Sequence, residues 1–305
     1  MTISSRKMSH RLMRRMNGMT KRNLSIWRNE SEPMRPHPQY PNLLLFDQLA
    51  AEEKVLHFST TRAGGVSNGS FSSFNMGNFS DDDPLKIREN REILARMFYL
   101  TTDQLITPHQ THGTGLLTID KSFLSLSKGE AMERLYGVDA TLTREKGIFL
   151  CATTADCVPI LLYDKQKEVI AAIHAGWRGT VGRIVEKTIR EMEHLYGTSP
   201  ADLLAAIGPA ISMEHYEVGA EVRELFIHNG FDLSDPSLST TKGLSSRWYI
   251  DLKEINRQEL LRLGVLVDHI EKSELCTYSR EDLFFSARRQ TEHSGRMLTG
   301  IMMVP

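Results

Sequence analysis

The stretch VPILLYDKQKEVIAAIHA, from Val158 to Ala175, holds two short runs rich in branched residues with a polar tetrapeptide, DKQK, between them. That is a strand, turn, strand pattern, and it commits the middle of the chain to a β-sheet. Pairing Tyr163 with Glu168 across a four-residue loop sets Cys157 directly opposite His174. Opposed residues of an antiparallel ladder have Cβ atoms roughly 4.5–5.5 Å apart. A thiolate and an imidazole at that spacing can share a metal ion, or the imidazole can activate the thiol. Against both stands the plain alternative, in which a lone cysteine is a small core residue and a lone histidine is hydrogen-bonded structure.

The rest of the chain is consistent with one large domain or two small ones. It has 305 residues, 40% hydrophobic and 25% charged, enough to bury a full core. No apolar run approaches the length needed to cross a bilayer, so no membrane role is expected. Three cysteines (Cys151, Cys157, Cys276) are too few for a disulfide framework, and a reducing, cytoplasmic location is the simpler expectation. The net charge of −1 hides an asymmetry: the first 36 residues carry nine Lys or Arg against two acids, a local +7 that leaves −8 elsewhere. Such a tail can be a targeting segment or a nucleic-acid arm. It can equally be a disordered tail or an over-long start, since Met8, Met13, Met16, Met19 and Met34 offer later ones. The acidic body argues against a nucleic-acid partner.

The proline breaks in PHPQYPN mark a boundary between residues 1–40, a basic tail, and a catalytic domain over 43–305. VLHFSTT reads as a strand, and a helix is expected from Asp83-Pro84 through LKIRENREILARMF, with Pro84 in its first turn. GIFLCATTADCVPILLYD and EVIAAIHAG supply the central strands. GTVGRIVEKTIREMEHLYG predicts a helix capped by Thr180, with Val181, Val185, Met192 and Leu195 along one face and Gly197 ending it. WYIDL reads as a strand, KEINRQELLRLG as a helix and GRMLTGIMMVP as a closing strand. The mixture predicts an α/β (α+β mixed) single domain, a central mixed β-sheet core flanked by helices.

A catalytic metal site needs a third protein ligand beside Cys157 and His174. His109 and His112, in PHQTHGTG, are the nearest candidates, and their spacing in a helix-poor stretch does not require both to face one ion. HAGWRGT leads into a helix, so the N–H groups of Gly179–Val181 together with Arg178 could hold an anion. Arg62 before Gly64-Gly65 offers a second such loop, although no phosphate-loop motif is present. Asp156 sits beside the thiol and reaches the same face only if the backbone kinks, which Pro159 makes plausible. Tyr216 and Glu217 could be functional or plain packing. Phe284 and Phe285 could stack on a flat base or fill the core, and Arg288 and Arg289 could bind phosphate or face solvent.

TTRAGGVS, FNMGN, HQTHG, VDATLT, TTADCVPILLYD, HAGWRGT, IGPAI, YEVG, FFSARR and SGRM occur in the order found in the YfiH-like family. That family is also called the laccase-domain or multicopper polyphenol oxidase family, or peptidoglycan editing factor. The resemblance spans about residues 43–305. It implies a YfiH-like fold related to toxin deamidases, and a zinc-dependent purine nucleoside phosphorylase with adenosine deaminase activity. Purine nucleosides (adenosine, inosine, methylthioadenosine) and phosphate are the implied substrates. It assigns the metal to His112, Cys157 and His174, and it departs from the usual pattern at Ala210 and Ala287. Arg62 and Arg178 are then the anion-holding candidates, Asn75 a sugar or base contact, and Asp156 with Cys157 the catalytic candidates. Copper is disfavoured, because there is no His-x-His pair and no histidine next to Cys157. The zinc-deaminase signature is also absent. Two rivals remain open: a metal-free Cys157/His174 hydrolase acting on an amide of a cell-wall precursor, and a purine-binding module without turnover.

Overall fold

The computed structural model describes residues 32–242 and 247–305, so the basic stretch through residue 31 lies outside the described residues. Two six-stranded mixed sheets dominate. In the first, β1 (Met34–Pro36), β2 (Leu43–Phe46), β3 (Val55–Thr60), β15 (Met297–Met303), β7 (Phe149–Thr154) and β4 (Leu105–Ile106) lie side by side in that order. In the second the order is β14 (Ile270–Lys272), β10 (Leu203–Ile207), β8 (Val158–Asp164), β9 (Val169–Ala175), β6 (Val138–Thr143) and β5 (Gly115–Thr118). A small third sheet joins β11 (Glu217–Val218), β13 (Arg247–Ile250) and β12 (Ser239–Lys242). Because Met34–Pro36 already pairs with β2, the ordered sheet begins upstream of the proline break.

Side-chain parity shows how the layers stack. Along β8, Val158, Ile160 and Leu162 pack on the helical side, against α3 (Ile184–Tyr196) and α4 (Leu252–Arg262). Leu161 and Tyr163 point the other way, into a core shared with Phe46, Leu150 and Ile301 of the first sheet. Phe149, Cys151 and Leu298 face outward again, under Leu94 and Ala95 of α1 (Pro84–Met97). The molecule is therefore helix, sheet, sheet, helix, with central strands such as β7, β8, β9, β10 and β15 buried on both faces, which is why these are largely continuous apolar runs rather than alternating ones. Phe284 and Phe285 are fully buried in the inter-sheet core and are unavailable to a base. Among the described residues, no helix is long and apolar enough to cross a membrane.

Two local expectations need correction. The central hairpin pairs Asp164 with Val169 and Pro159 with His174, two residues out of the expected register. Asp164 stays in the strand and its Oδ1 accepts from the backbone N–H groups of Gln166 and Lys167, at 2.9 and 3.0 Å, so the turn is KQKE rather than DKQK. A slip of two preserves the face of every side chain, so Cys157 becomes a diagonal rather than a direct neighbour of His174. The helix after HAGW is also split. Gly176 begins α2 (Trp177–Val181), Arg183 adopts a left-handed conformation (φ 60°), and α3 then runs to a left-handed Gly197. Thr180 lies inside α2 rather than capping a long helix, and Leu195 is exposed.

His57 ties β2 to β3: its Nε2 accepts from the Phe46 N–H at 2.7 Å. Burial pushes its pKa from 6.5 down to about 3. The unfolded chain therefore binds the extra proton between those values, and stability present above pH 6.5 is lost as the pH falls toward 3. The slope from this one group is at most about 1.4 kcal/mol per pH unit. Urea titrations at pH 7, 5.5 and 4.5 should show wild type losing stability more steeply than His57→Gln; parallel losses would contradict the assignment.

Candidate functional site

At the end of the inter-sheet layer, three side chains converge. His174 continues the inward parity of Ile170 and Ala172 along β9, and Cys157 lies just before β8. His112 comes from the loop ahead of β5, in a left-handed conformation (φ 62°) uncommon for a residue with a side chain. Their donor atoms all lie within 4.8 Å of one another, a group that could hold a metal ion. The ligands of a tetrahedral Zn²⁺ stand roughly 3.3–3.8 Å apart, so modest inward movement completes such a shell. Gly176 packs against all three. A Cβ there would stand 3.1 Å from Cys157 Sγ, 3.3 Å from His112 Cδ2 and 3.7 Å from His174 Cε1.

One buried carboxylate orders the set. Asp139 Oδ1 bonds His174 Nδ1 at 2.8 Å and accepts the His112 N–H at 3.0 Å. Its Oδ2 accepts from Gly113 and Thr111 at 2.8 and 3.3 Å. Nδ1 of His174 is thereby occupied and Nε2 is left for the cluster. Burial works against charge on Asp139, but His174 and these N–H groups outweigh it and hold the carboxyl below its usual range. Burial likewise opposes the Cys157 thiolate, yet His174 and His112 bring the thiol pKa down, towards the form that ligates a cation. At His174 burial is overcome by Cys157 and Asp139, which raise its pKa.

The cluster forms part of the wall of a cavity of about 560 Å³, within the range of small-molecule sites. Asp156 lines it, and the expected kink is present as a positive φ of 87°. Its carboxylate accepts from Thr277 Oγ1 (2.6 Å), Ser286 Oγ (3.0 Å) and the Arg288 N–H (2.6 Å). Arg178 lines the cavity with its guanidinium over Trp177. Of the N–H groups expected to hold an anion at Gly179–Val181, that of Thr180 is spent on the Gly176 carbonyl inside the helix.

Arg62 is elsewhere. Its Nε and Nη1 donate to the Ser72 and Glu281 carbonyls, and it lies over Phe285. The neighbouring Gly65 and Val66 N–H groups are taken by Ser73 and Asn90. Asn75 is also outside the cavity wall. It is fully buried and bonds Gly77, Ser80, Asp82 and Arg296, so it shapes the wall instead of touching its contents. Arg289 donates to main-chain carbonyls, and Glu217 is engaged by Arg247 and Tyr249. Ala210 is buried in the helical-side core, while Tyr216 and Ala287 line the cavity.

Two participants, Arg296 and Asp139, were not foreseen, and Arg288 was expected either to bind phosphate or to face solvent. Arg296, mostly buried, spends only Nη1 on protein, on the Ser294 and Gly295 carbonyls. Arg288 spends Nη2 on the Glu217 carbonyl and lies over Tyr216. Among the described residues neither these two nor Arg178 is paired with a carboxylate, and all three face the cavity. The signal for Asp139 was its place as the one charged residue of the buried strand VDATLT, one rung beyond the Ala140–Ile173 pair.

Comparison with known proteins places these features in context. The family model described as multi-copper polyphenol oxidoreductase laccase matches residues 56–304. A purine nucleoside phosphorylase of Bacteroides thetaiotaomicron is 46% identical over 261 residues, covering 86% of this chain and 96% of that one. Adenosine deaminase RL5, from an unknown prokaryotic organism, is 39% identical over 249 residues, covering 82% and 94%. The crystal structure of the hypothetical protein YfiH of Bacillus licheniformis superposes with a TM-score of 0.81 at 30% identity, covering 89% and 99%.

Asp139→Asn should weaken Zn²⁺ binding about 10–100-fold in competition with a chromogenic chelator, the usual effect of losing a partner behind a metal-bound imidazole. Gly176→Ala should act in the same direction by displacing Cys157. Unchanged affinity in both variants would show that neither residue shapes the site.

Proposed function

This chain belongs to the multi-copper polyphenol oxidoreductase laccase family, and from that premise we propose that it is a zinc-dependent purine nucleoside phosphorylase that also deaminates adenosine. The observation that carries the reading is the wall itself: Arg178, Arg288 and Arg296, none paired with a carboxylate among the described residues, face one cavity with the His112–Cys157–His174 group. Unpaired guanidinium groups next to a cation-binding set suit a phosphate dianion and have no evident task in oxidising a phenol. Among the described residues there is one His/Cys group of three, whereas a multicopper oxidase needs several copper sites. The names of the relatives support the same chemistry.

In phosphorolysis a phosphate oxygen bonds to C1′ as the C1′–N9 bond breaks. The electron pair of that bond leaves with the purine, which takes up a proton. The arginines bind the nucleophile and hold it against C1′, so that ordering is done before the barrier is met. His112, Cys157 and His174 would hold the metal, with Asp139 fixing the tautomer of His174 and the backbone of His112. A zinc ion held there would supply Lewis acidity in the cavity. Both oxygens of Asp156 already accept hydrogen bonds, so we assign it to positioning the Arg288 backbone and the bend before Cys157, not to proton transfer.

A metal-free Cys/His hydrolase is the second reading, favoured by one observation: a lowered thiol beside an imidazole that Asp139 orients, the arrangement of a cysteine nucleophile, its base and the orienter. Purified protein should carry about one zinc per chain, lost in Cys157→Ala, and chelation should abolish turnover. Full activity after chelation, ended by iodoacetamide, would favour the hydrolase.

The test of the leading reading is release of hypoxanthine and ribose 1-phosphate from inosine. Release should require phosphate and fall on the order of a hundredfold or more in His112→Ala. Product formed equally without phosphate would rule phosphorolysis out. Arg296→Ala and Arg178→Ala should each raise the KM for phosphate about ten- to a hundredfold, the effect of losing a charge-assisted hydrogen bond. If the KM for inosine rises instead, the arginines do not hold the anion.

A further inference from the structure

Phe79 lines the cavity yet is 58% exposed. A single exposed phenylalanine is unremarked on most surfaces, but this one is not single. Its ring lies parallel to that of His109, centroids 3.6 Å apart and 12° from coplanar. His109 in turn meets the edge of Tyr136 at 4.8 Å and 84°. One face of Phe79 is therefore covered by a supported ring, and the rest of the ring is open.

Both sides of this stack are held from behind. Phe79 sits in the turn Gly77–Ser80, which Asn75 clamps: its Oδ1 accepts the Gly77 N–H at 3.0 Å and its Nδ2 donates to Ser80 Oγ at 2.8 Å. The Ser80 hydroxyl closes the turn on the Gly77 carbonyl at 2.8 Å. His109 is pinned through its backbone, donating to the Leu135 carbonyl and accepting from the Gly137 N–H. The next residue, Gln110, pairs through its side-chain amide with the backbone of Thr153 in both directions. Two residues further on, His112 is fixed by Asp139. His109, the backing ring of the stack, and the candidate metal ligand His112 thus sit on one braced segment, three residues apart, at a separation the chain cannot easily change.

We infer that Phe79, backed by His109, is the specificity-determining surface on which the heteroaromatic base of the substrate stacks. The inference rests on the nucleoside reading of this cavity and adds what part of the nucleoside is read, and how. A ring face selects for the area of a flat π-system and is nearly blind to the groups on its edge. Bicyclic purines gain more overlap than single-ring pyrimidines, and an amino or oxo group at C6 makes little difference. The site therefore takes adenosine and inosine alike and discriminates against uridine and cytidine. Because the ring is held before the ligand arrives, little ordering remains to be done on binding.

Titration calorimetry of zinc-loaded protein with inosine and uridine in the absence of phosphate, beside steady-state kinetics that give the KM for adenosine and for phosphate, tests this in Phe79→Ala, Phe79→Leu and Phe79→Trp. Phe79→Ala and Phe79→Leu should weaken inosine and adenosine about tenfold, the usual effect of removing a stacking ring. Phe79→Trp should restore binding, and the KM for phosphate should stay within about twofold throughout. Inosine affinity unchanged in Phe79→Ala, a parallel rise in the phosphate KM, or uridine bound as well as inosine by wild type would overturn the assignment. Wild type that binds inosine without phosphate-dependent cleavage would sink the phosphorylase reading and leave the stacking surface standing. Wild type that binds no purine nucleoside removes both.

Discussion

The carboxylate of Asp139 is the constraint on which the site depends. It is 2% exposed, and a buried charge of that kind is costly unless it is fully bonded. Here both oxygens are used, on one imidazole and three successive backbone N–H groups. The second of those N–H groups belongs to His112, whose left-handed backbone would otherwise be a strain of about 1–3 kcal/mol with nothing to hold it. One side chain therefore sets the tautomer of His174 and the direction of His112 together. Two of the three cluster residues cannot be displaced independently of it, and the third, Cys157, is held against them by the bare face of Gly176.

The fold delivers this group to a sheltered but accessible place. In a four-layer stack the space between the sheets is the driest part of the molecule, filled here by Phe46, Leu150, Tyr163 and Phe285. Where β8 and β9 end that layer ends, and the next residues on the inward face are Cys157 and His174. Apolar packing lies behind them and a cavity in front. That asymmetry lowers the local dielectric on one side, which strengthens every ion–dipole contact in the cluster while leaving an approach for substrate.

Much of this was legible in the residues, and the exceptions share a cause. The inward pairing of Cys157 and His174 survived a wrong register because the error was an even number of residues, and strand faces repeat every two. The turn was misplaced because Asp164 looks like a loop residue, whereas its carboxylate caps the loop from the end of the strand. Arg62 with Gly64-Gly65 has the composition of an anion loop, but composition does not show that the N–H groups are already committed to Ser73 and Asn90. Arg296 and Phe79 were missed for a different reason. Arg296 lies inside SGRM and Phe79 directly after FNMGN, but neither motif shows which side chain reaches the cavity; pairing of β15 with β7 and a turn clamped through Asn75 bring them there.

Charge in the cavity bears on the choice between the chemistries that the same scaffold could host. A cysteine hydrolase and a metal enzyme can use the same thiolate and the same Asp-oriented imidazole, so those residues alone do not discriminate. The arginines do. Three guanidinium groups facing one small cavity repel one another unless an anion is present, and the two carboxylates nearby, Asp139 and Asp156, are spent on other donors. An amide of a cell-wall precursor has no need of a dianion beside its carbonyl, whereas phosphorolysis cannot begin without one. A bound anion relieves the repulsion among these guanidinium groups, and on that ground an anion-consuming reaction suits this cavity better than hydrolysis does.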